Sequence, residues 1–412
     1  MRIILLSFTF IFFSCVDSSQ KKNDFSIQSI SKIDTYIEDK ILNNQIPGTV
    51  ILVKKNDKIV HFKSYGYSNF NKKIKFKNND IFRIASMTKI MTSIAVLQLV
   101  EDNKISLTDP VENFIPEFKN LNVIESFDIK DGTFTARPAK NKITLKHLLT
   151  HSSGLTYGSY DDIPSHSEIY SKAGIIELFT TDSISQSENV KKLASLPLLF
   201  EPGESFKYGL NIDVVGHLIE IISGKSLSDY FKTFFFDPLE MRDTYFYIPE
   251  SKKKRLVPIQ TNIDGFWKIY DAEKYDVDYP LKGKEFFSGG AGLSSTVTSF
   301  SKFLQMICDG GVYKNKRIIS SNIIESLKEN HVEHLVEDLS HGLASGITTD
   351  LDIKKGFTGN TGSIYWDGMF STSFFIDPSE NLVFLIFRQL QDTEDDVHLI
   401  VEDLREIIQA EN

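Results

Sequence analysis

Ser86 and Lys89 stand three residues apart at the head of an apolar run, residues 82–100, FRIASMTKIMTSIAVLQLV. A serine hydroxyl is a weak nucleophile until a base takes its proton, and a lysine amine can be that base once burial or a proton-sharing neighbour lowers its pKa. From Met87 onward apolar residues recur at Met87, Ile90, Met91, Ile94, Leu97 and Val100, a helical period. The spacing predicts a helix with Ser86 in its first turn. Residues three apart on a helix share a face, and the helix N-terminus favours negative charge developing on the serine oxygen. The tetrapeptide S-x-x-K alone is weak evidence, because the same spacing recurs at Ser18/Lys21, Ser19/Lys22, Ser29/Lys32, Ser251/Lys254 and Ser299/Lys302, where a solvated surface explains it. Ser86 differs in its setting: the start of a long buried helix has no use for a lysine unless that end opens onto a site.

The elements that must hold this pair are legible at both ends of the chain. A helix is expected over about Ile27 to Leu42. Two β-rich runs, 49–55 and 58–63, flank Asn56-Asp57 and read as a hairpin. A second hairpin is expected from 373–377 and 382–387 around Pro378-Ser379-Glu380-Asn381, followed by a closing helix with Val397, Ile400, Val401, Leu404, Ile407 and Ile408 on one face. Strands at both ends with helices between predict an α/β fold in which one antiparallel sheet is built from both termini and flanked by helices. The middle, about 105–279, reads as an inserted, mostly helical subdomain. The 412 residues suffice for a sizeable core in one large domain or two.

The run 82–100 followed by Asp109-Pro110-Val111 resembles the nucleophile region of class C serine β-lactamases, D-aminopeptidases and family VIII carboxylesterases. The likeness continues through 143–155 (ITLKHLLTHSSGL), 201–208 (EPGESFKY) and 288–295 (SGGAGLSS), and covers nearly all of the chain from about residue 30. It implies a β-lactamase/penicillin-binding-protein-like fold, no cofactor and no metal. It assigns the second motif tyrosine to Tyr208, where a phenol can share protons with Ser86 and Lys89. Penicillin-binding relatives have Tyr-x-Asn, whereas this chain has Tyr208-Gly209-Leu210, with Asn211 expected only to cap a helix. A literal Tyr67-Ser68-Asn69 precedes the serine at a strand end and is set aside.

Where β-lactamases carry Lys-Thr-Gly beside the site, this chain has Trp366-Asp367-Gly368-Met369, similar to the Trp-Gly-Gly or Trp-Asp-Gly of family VIII esterases. By that resemblance the main-chain N–H groups of Ser86 and Met369 form the oxyanion hole, and Trp366 and Asp367 replace the cation that receives a substrate carboxylate. Neutral acyl esters are therefore expected to fit better than carboxylate-bearing amides. Rival features are weaker. His331-Val332-Glu333-His334 lacks the i, i+4 spacing of a helical zinc pair, and Gly289-Gly290-Ala291-Gly292 lacks the Lys-Ser/Thr of a phosphate loop. His151 reads as part of a structural turn.

The N-terminus carries Arg2, an apolar stretch over 3–13, and Ser14-Cys15. The stretch is too short to span a bilayer and resembles a bacterial lipoprotein signal. It predicts residues 1–15 as signal with Cys15 lipidated, 16–26 as tether and 27–412 as the folded domain, giving an exported, periplasmic or cell-surface protein held to membrane by its lipid. The only other cysteine, Cys308, is expected to be a buried thiol. A formal charge of −9 without a long basic run argues against a nucleic-acid partner. The expected function is a carboxylesterase-like serine hydrolase acting on small-molecule esters through an acyl-enzyme on Ser86. The alternatives are a D-amino-acid-specific peptidase or β-lactamase acting on cell-wall material, and an inactive penicillin-fold binding lipoprotein.

Overall fold

A computed structural model describes residues 27–158, 163–272, 275–343, 345–391, 393 and 397–410. The signal, the tether and Cys15 lie outside the described residues.

Helix α1 (Ile27–Leu42) precedes the hairpin β1 (Gly48–Lys55) and β2 (Lys58–Asn69). Its two turn residues, Asn56 and Asp57, both adopt positive φ (52° and 60°), which matches the twist of a tight hairpin and is least costly for Asn and Asp. A short β3 (Ile74–Lys75) follows. From the other end of the chain come β4 (Gly346–Ile347), β5 (Ile364–Gly368), β6 (Thr372–Asp377) and β7 (Leu382–Phe387). They assemble into one seven-stranded sheet in the order β4-β5-β6-β7-β1-β2-β3. The termini meet at the antiparallel β1–β7 pairing, in register from Val50↔Phe387 to Lys55↔Leu382.

Both faces of this sheet are covered, so its central strands are buried along their whole length. Ile51, Val53, Phe375, Phe384 and Ile386 pack against Ile33 and Ile37 of α1 and Ile400, Leu404 and Ile408 of the closing helix, which runs Val397–Gln409. The alternate residues Val50, Leu52, Phe374, Val383, Leu385 and Phe387 face the main core, which holds α2 (Thr88–Glu101), α3 (Asn211–Ser223) and α4 (Val297–Cys308). Strand alternation therefore decides which residues of β5 can reach the helical side. Cys308 is buried in α4, and burial pushes its thiol pKa up. The region 105–279 carries helices but also two hairpins, Asn122–Phe127 with Phe134–Pro138 and Gln260–Ile263 with Phe266–Ile269. Among the described residues no helix is long and apolar enough to cross a membrane.

Candidate active site

Helix α2 is buried almost all round, including Thr88, Lys89, Thr92 and Ser93. It begins one residue later than periodicity suggests. Ser86 occupies a single 3₁₀ turn, Ala85–Met87, and Ala85 takes φ 41°, a conformation uncommon for a residue with a Cβ. That turn presents Ser86 half-exposed while Lys89 is only 1% exposed.

The Lys89 ammonium is bound on three sides. Nζ donates to Gly290 O at 2.8 Å, to Ser86 Oγ at 3.1 Å and to the Tyr157 hydroxyl at 3.3 Å. A charged amine has three protons to give, so this set suits it. The same set also suits the neutral amine. Gly290 O can only accept, whereas both hydroxyls can donate or accept, so a proton can pass from Ser86 to Lys89 without loss of the anchoring bond.

The Tyr208 ring lies under the amine, 4.6 Å from its centroid, in cation–π range. Around Tyr208 pack His151, Tyr157 and Trp366, with ring centroids at 4.6, 5.7 and 5.7 Å. His151 accepts at Nδ1 from the Gly209 N–H (3.3 Å) and the Asn211 amide (3.1 Å), which places its own proton on Nε2. Burial holds its pKa well below the ordinary histidine value, with repulsion from His341 and Lys89 adding to that. Its role is to hold Gly209, next to Tyr208, as a neutral ring. Asn211 is not a cap: it is the first residue of α3, Leu210 stands at the cap position, and its amide brackets Ser153, Leu155 and His151. A buried polar bracket answers the backbone groups of a bent loop, which a solvent-facing cap would leave unmet.

Trp366 pairs with Phe374 and stands on the helical side of β5, against Tyr208 and His341. His341, fully buried, has its pKa pushed down to about 4 by that burial. Asp367 departs from the expectation. It pairs with Ser373 and shares the face of Tyr365 and Phe375, where it lines a cavity of about 390 Å³ with Arg405. Period-two alternation turns it away from Trp366, so it does not stand beside Ser86 as an anion. Gly368 meets the nucleophile turn directly: a Cβ there would lie 2.4 Å from Ile84 O and 2.2 Å from Thr372 Oγ1. This close approach brings Met369, which packs in one apolar cluster with Ala85 and Phe370, alongside the turn of Ser86.

Sequence reasoning missed Tyr157 and Asp213. Tyr157 lies two residues beyond the motif ending at Leu155, and Asp213 lies two residues beyond Asn211 in the first turn of α3. Of the pair set aside as zinc ligands, His331 has its ring against Ser326 O and donates its main-chain N–H to His341 O at 2.9 Å.

The β-lactamase family profile matches residues 32–405. An uncharacterised protein of Mycobacterium tuberculosis is 27% identical over 365 residues, 84% of this chain and 86% of that protein. Esterase EstB of Burkholderia gladioli is 24% identical over 380 residues, 88% of this chain and 91% of EstB. Among solved structures, EstCE1, described as a hydrolase with promiscuous acyltransferase activity, superposes with a TM-score of 0.78 at 21% identity, over 93% of this chain and 99% of EstCE1, a likeness of fold. With the matching profile spanning the sheet, the helical core and the Ser86–Lys89 pair, the chain belongs to the β-lactamase family of serine-hydrolase-type enzymes.

Proposed function

We propose that the protein is a carboxylesterase that passes an acyl group through Ser86. The observation that carries the reading is the Lys89 amine, 3.1 Å from Ser86 Oγ and anchored at Gly290 O. In this mechanism Lys89 takes the Ser86 proton as Oγ attacks the ester carbonyl. The main-chain N–H groups of Ser86 and Met369 receive the developing oxyanion, and Tyr208 returns a proton to the departing alcohol oxygen. Water then attacks the acyl-enzyme by the reverse sequence of proton transfers. The esterase names among the relatives support the ester over the amide, and so does Trp366, which brings a ring where Lys-Thr-Gly enzymes bring an ammonium.

Short p-nitrophenyl esters are expected to be turned over at least tenfold faster, by kcat/KM, than a penicillin or a cephalosporin. A lost charge-assisted hydrogen bond to the substrate carboxylate costs about 1.5–3 kcal/mol, or roughly 10- to 100-fold. Trp366 accounts for this by itself, because Asp367 faces the other side of the sheet. A cephalosporin hydrolysed as fast as the best ester overturns the choice of esterase.

We further propose that the mature protein is exported and held to membrane through a lipidated Cys15. Each buried CH₂ of an acyl chain contributes about 0.8 kcal/mol, so a multiply acylated cysteine anchors stably. Cys15→Ser is expected to move the protein to the soluble or unprocessed fraction. Unchanged fractionation, with no lipid label on the wild type, rules the anchor out.

A further inference from the structure

The Lys89 amine is almost fully withdrawn from water, and a buried ammonium is costly unless a negative group or several acceptors replace its hydration. The carbonyl of Gly290 is its shortest contact, at 2.8 Å. What fixes that peptide comes from α3. Asp213, in the first turn of α3 and 4% exposed, accepts the Gly290 N–H at 3.2 Å and the Ser288 hydroxyl at 2.6 Å, both on Oδ1. Ser288 Oγ in turn accepts the Ala291 N–H at 3.0 Å, so one carboxylate sets the path of residues 288–291. The fit leaves no slack: a Cβ on Gly290 would stand 2.4 Å from Asp213 Oδ2. Glycine is thus required at 290 by the closeness of the acid itself. Two donors on one carboxylate oxygen suit the ionised form, and its charge interacts with that of Lys89.

We infer that Asp213 is the buried counter-ion of Lys89 and its positioning residue, acting through the Gly290 peptide. The inference rests on the esterase reading of Ser86 and Lys89. Among the described residues, the titratable groups around Lys89 are Tyr157, Tyr208, His151 and Asp213. His151 is neutral at ordinary pH for the reasons given above. Asp213 is then the group that balances the ammonium when the pair rests and opposes its loss when Lys89 releases a proton.

Replacing the acid therefore has two opposite effects. Burial raises the Asp213 carboxyl above its usual range, partly offset by the Ser288 hydroxyl, Lys89 and the Gly290 amide. A carboxyl raised by folding favours the fold at acid pH, and that contribution is lost as pH rises through the folded value. At neutral pH the ionised acid is a burden on stability. Asp213→Asn keeps the shape and an acceptor oxygen while removing the charge; relief of the buried acid is offset by the Lys89 ammonium losing its counter-charge, so its melting temperature is expected to stay within a few degrees of the wild type at pH 7. Its kcat/KM for a p-nitrophenyl ester is expected to fall by about 10- to 100-fold, because a neutral amide oxygen holds the Ser288 hydroxyl and the Gly290 N–H less firmly than a carboxylate and lets the Gly290 peptide shift under Lys89. The acid limb of the pH–kcat/KM profile is expected to move about one unit toward acid, because the site has lost its buried negative charge. Ser288→Ala removes both hydrogen bonds of that hydroxyl, keeps the Asp213 charge and should leave that limb in place.

The Asp213→Asn profile superimposing on the wild type, or the same limb shift in Ser288→Ala, overturns the role of Asp213; so does a loss of rate matched by a fall in melting temperature. Should the asparagine variant not fold, Asp213→Ser assayed with and without added formate carries the test, rescue supporting the inference and its absence in folded protein overturning it. Fluorophosphonate labelling of the wild type keeps the two readings separate. An unlabelled Ser86 sinks the esterase reading, whereas a labelled Ser86 with an unmoved Asp213→Asn limb sinks only the counter-ion.

Discussion

Ser86→Ala is expected to abolish ester hydrolysis, with kcat falling by several orders of magnitude, on the order of 10⁶ where nucleophile loss in another serine enzyme sets the scale. The fold should survive. The side chain is half-exposed in its 3₁₀ turn, and Lys89 keeps its bonds to Gly290 O and the Tyr157 hydroxyl when Ser86 Oγ is gone. A melting temperature within a few degrees of wild type, together with complete loss of fluorophosphonate labelling, is the expected pair of results. Residual activity separates mechanism from fold: if a different hydroxyl were the nucleophile, the variant would retain activity within about tenfold, which corresponds to no more than about 1.4 kcal/mol of barrier. Such a result ends the assignment. Complete loss joined to a large drop in melting temperature would instead make Ser86 a structural residue.

The parts of this site that the sequence disclosed are those with a local signature. Alternation and turn chemistry placed both hairpins, because each strand's neighbour is the next strand in the chain. The helical period placed α2, and a lysine inside that buried stretch marked the site. The register was one residue early at its start, because Ala85 leaves the helical path by a positive φ that no pattern of apolar residues records. Contacts made across long separations were not readable. Gly290 O meets Lys89 across 201 residues, and Asp213 meets Gly290 across 77, through bonds to main chain that carry no residue-type signal. Tyr157 was hidden for the same reason, since an aromatic beside an apolar run is ordinarily core. Asp367 is different. Its face follows from strand alternation with Trp366 inward, because neighbours on a strand point to opposite sides of the sheet. The resemblance to serine β-lactamases and their relatives supplied Tyr208 and that to family VIII esterases Met369, and the fold brings the first beneath Lys89 and the second alongside the turn of Ser86.

The tightest joint in the site is between β5 and the nucleophile turn, and Gly368→Ala is expected to break it. The added methyl would sit 2.4 Å from Ile84 O and 2.2 Å from Thr372 Oγ1. The threonine hydroxyl can swing aside, since Thr372 Oγ1 has no hydrogen-bond partner among the described residues, but the Ile84 carbonyl is main chain. Ile84 is held in turn by its N–H to Leu293 O at 3.0 Å and by its carbonyl to the Met87 N–H at 3.0 Å, which closes the turn around Ser86. Either β5 moves out, taking Met369 with it, or the turn moves and re-aims Ser86. Both routes separate the two N–H groups that must converge on one oxygen, and loss of one such donor costs about 10²–10³ in kcat. The expected result is a fall of that size in kcat with KM changed much less, because the donors act on the oxyanion of the transition state rather than on the bound ester. Gly209→Ala offers a contrast on the other wall: its Cβ would lie 2.5 Å from Thr156 Cα, beside Tyr208 rather than Met369, so it should impair the step that protonates the leaving group. Esters with better leaving groups, such as p-nitrophenyl over ethyl, should then mask the Gly209→Ala defect and leave the Gly368→Ala defect undiminished. Equal sensitivity of both variants to the leaving group would show that β5 does not supply the oxyanion donor.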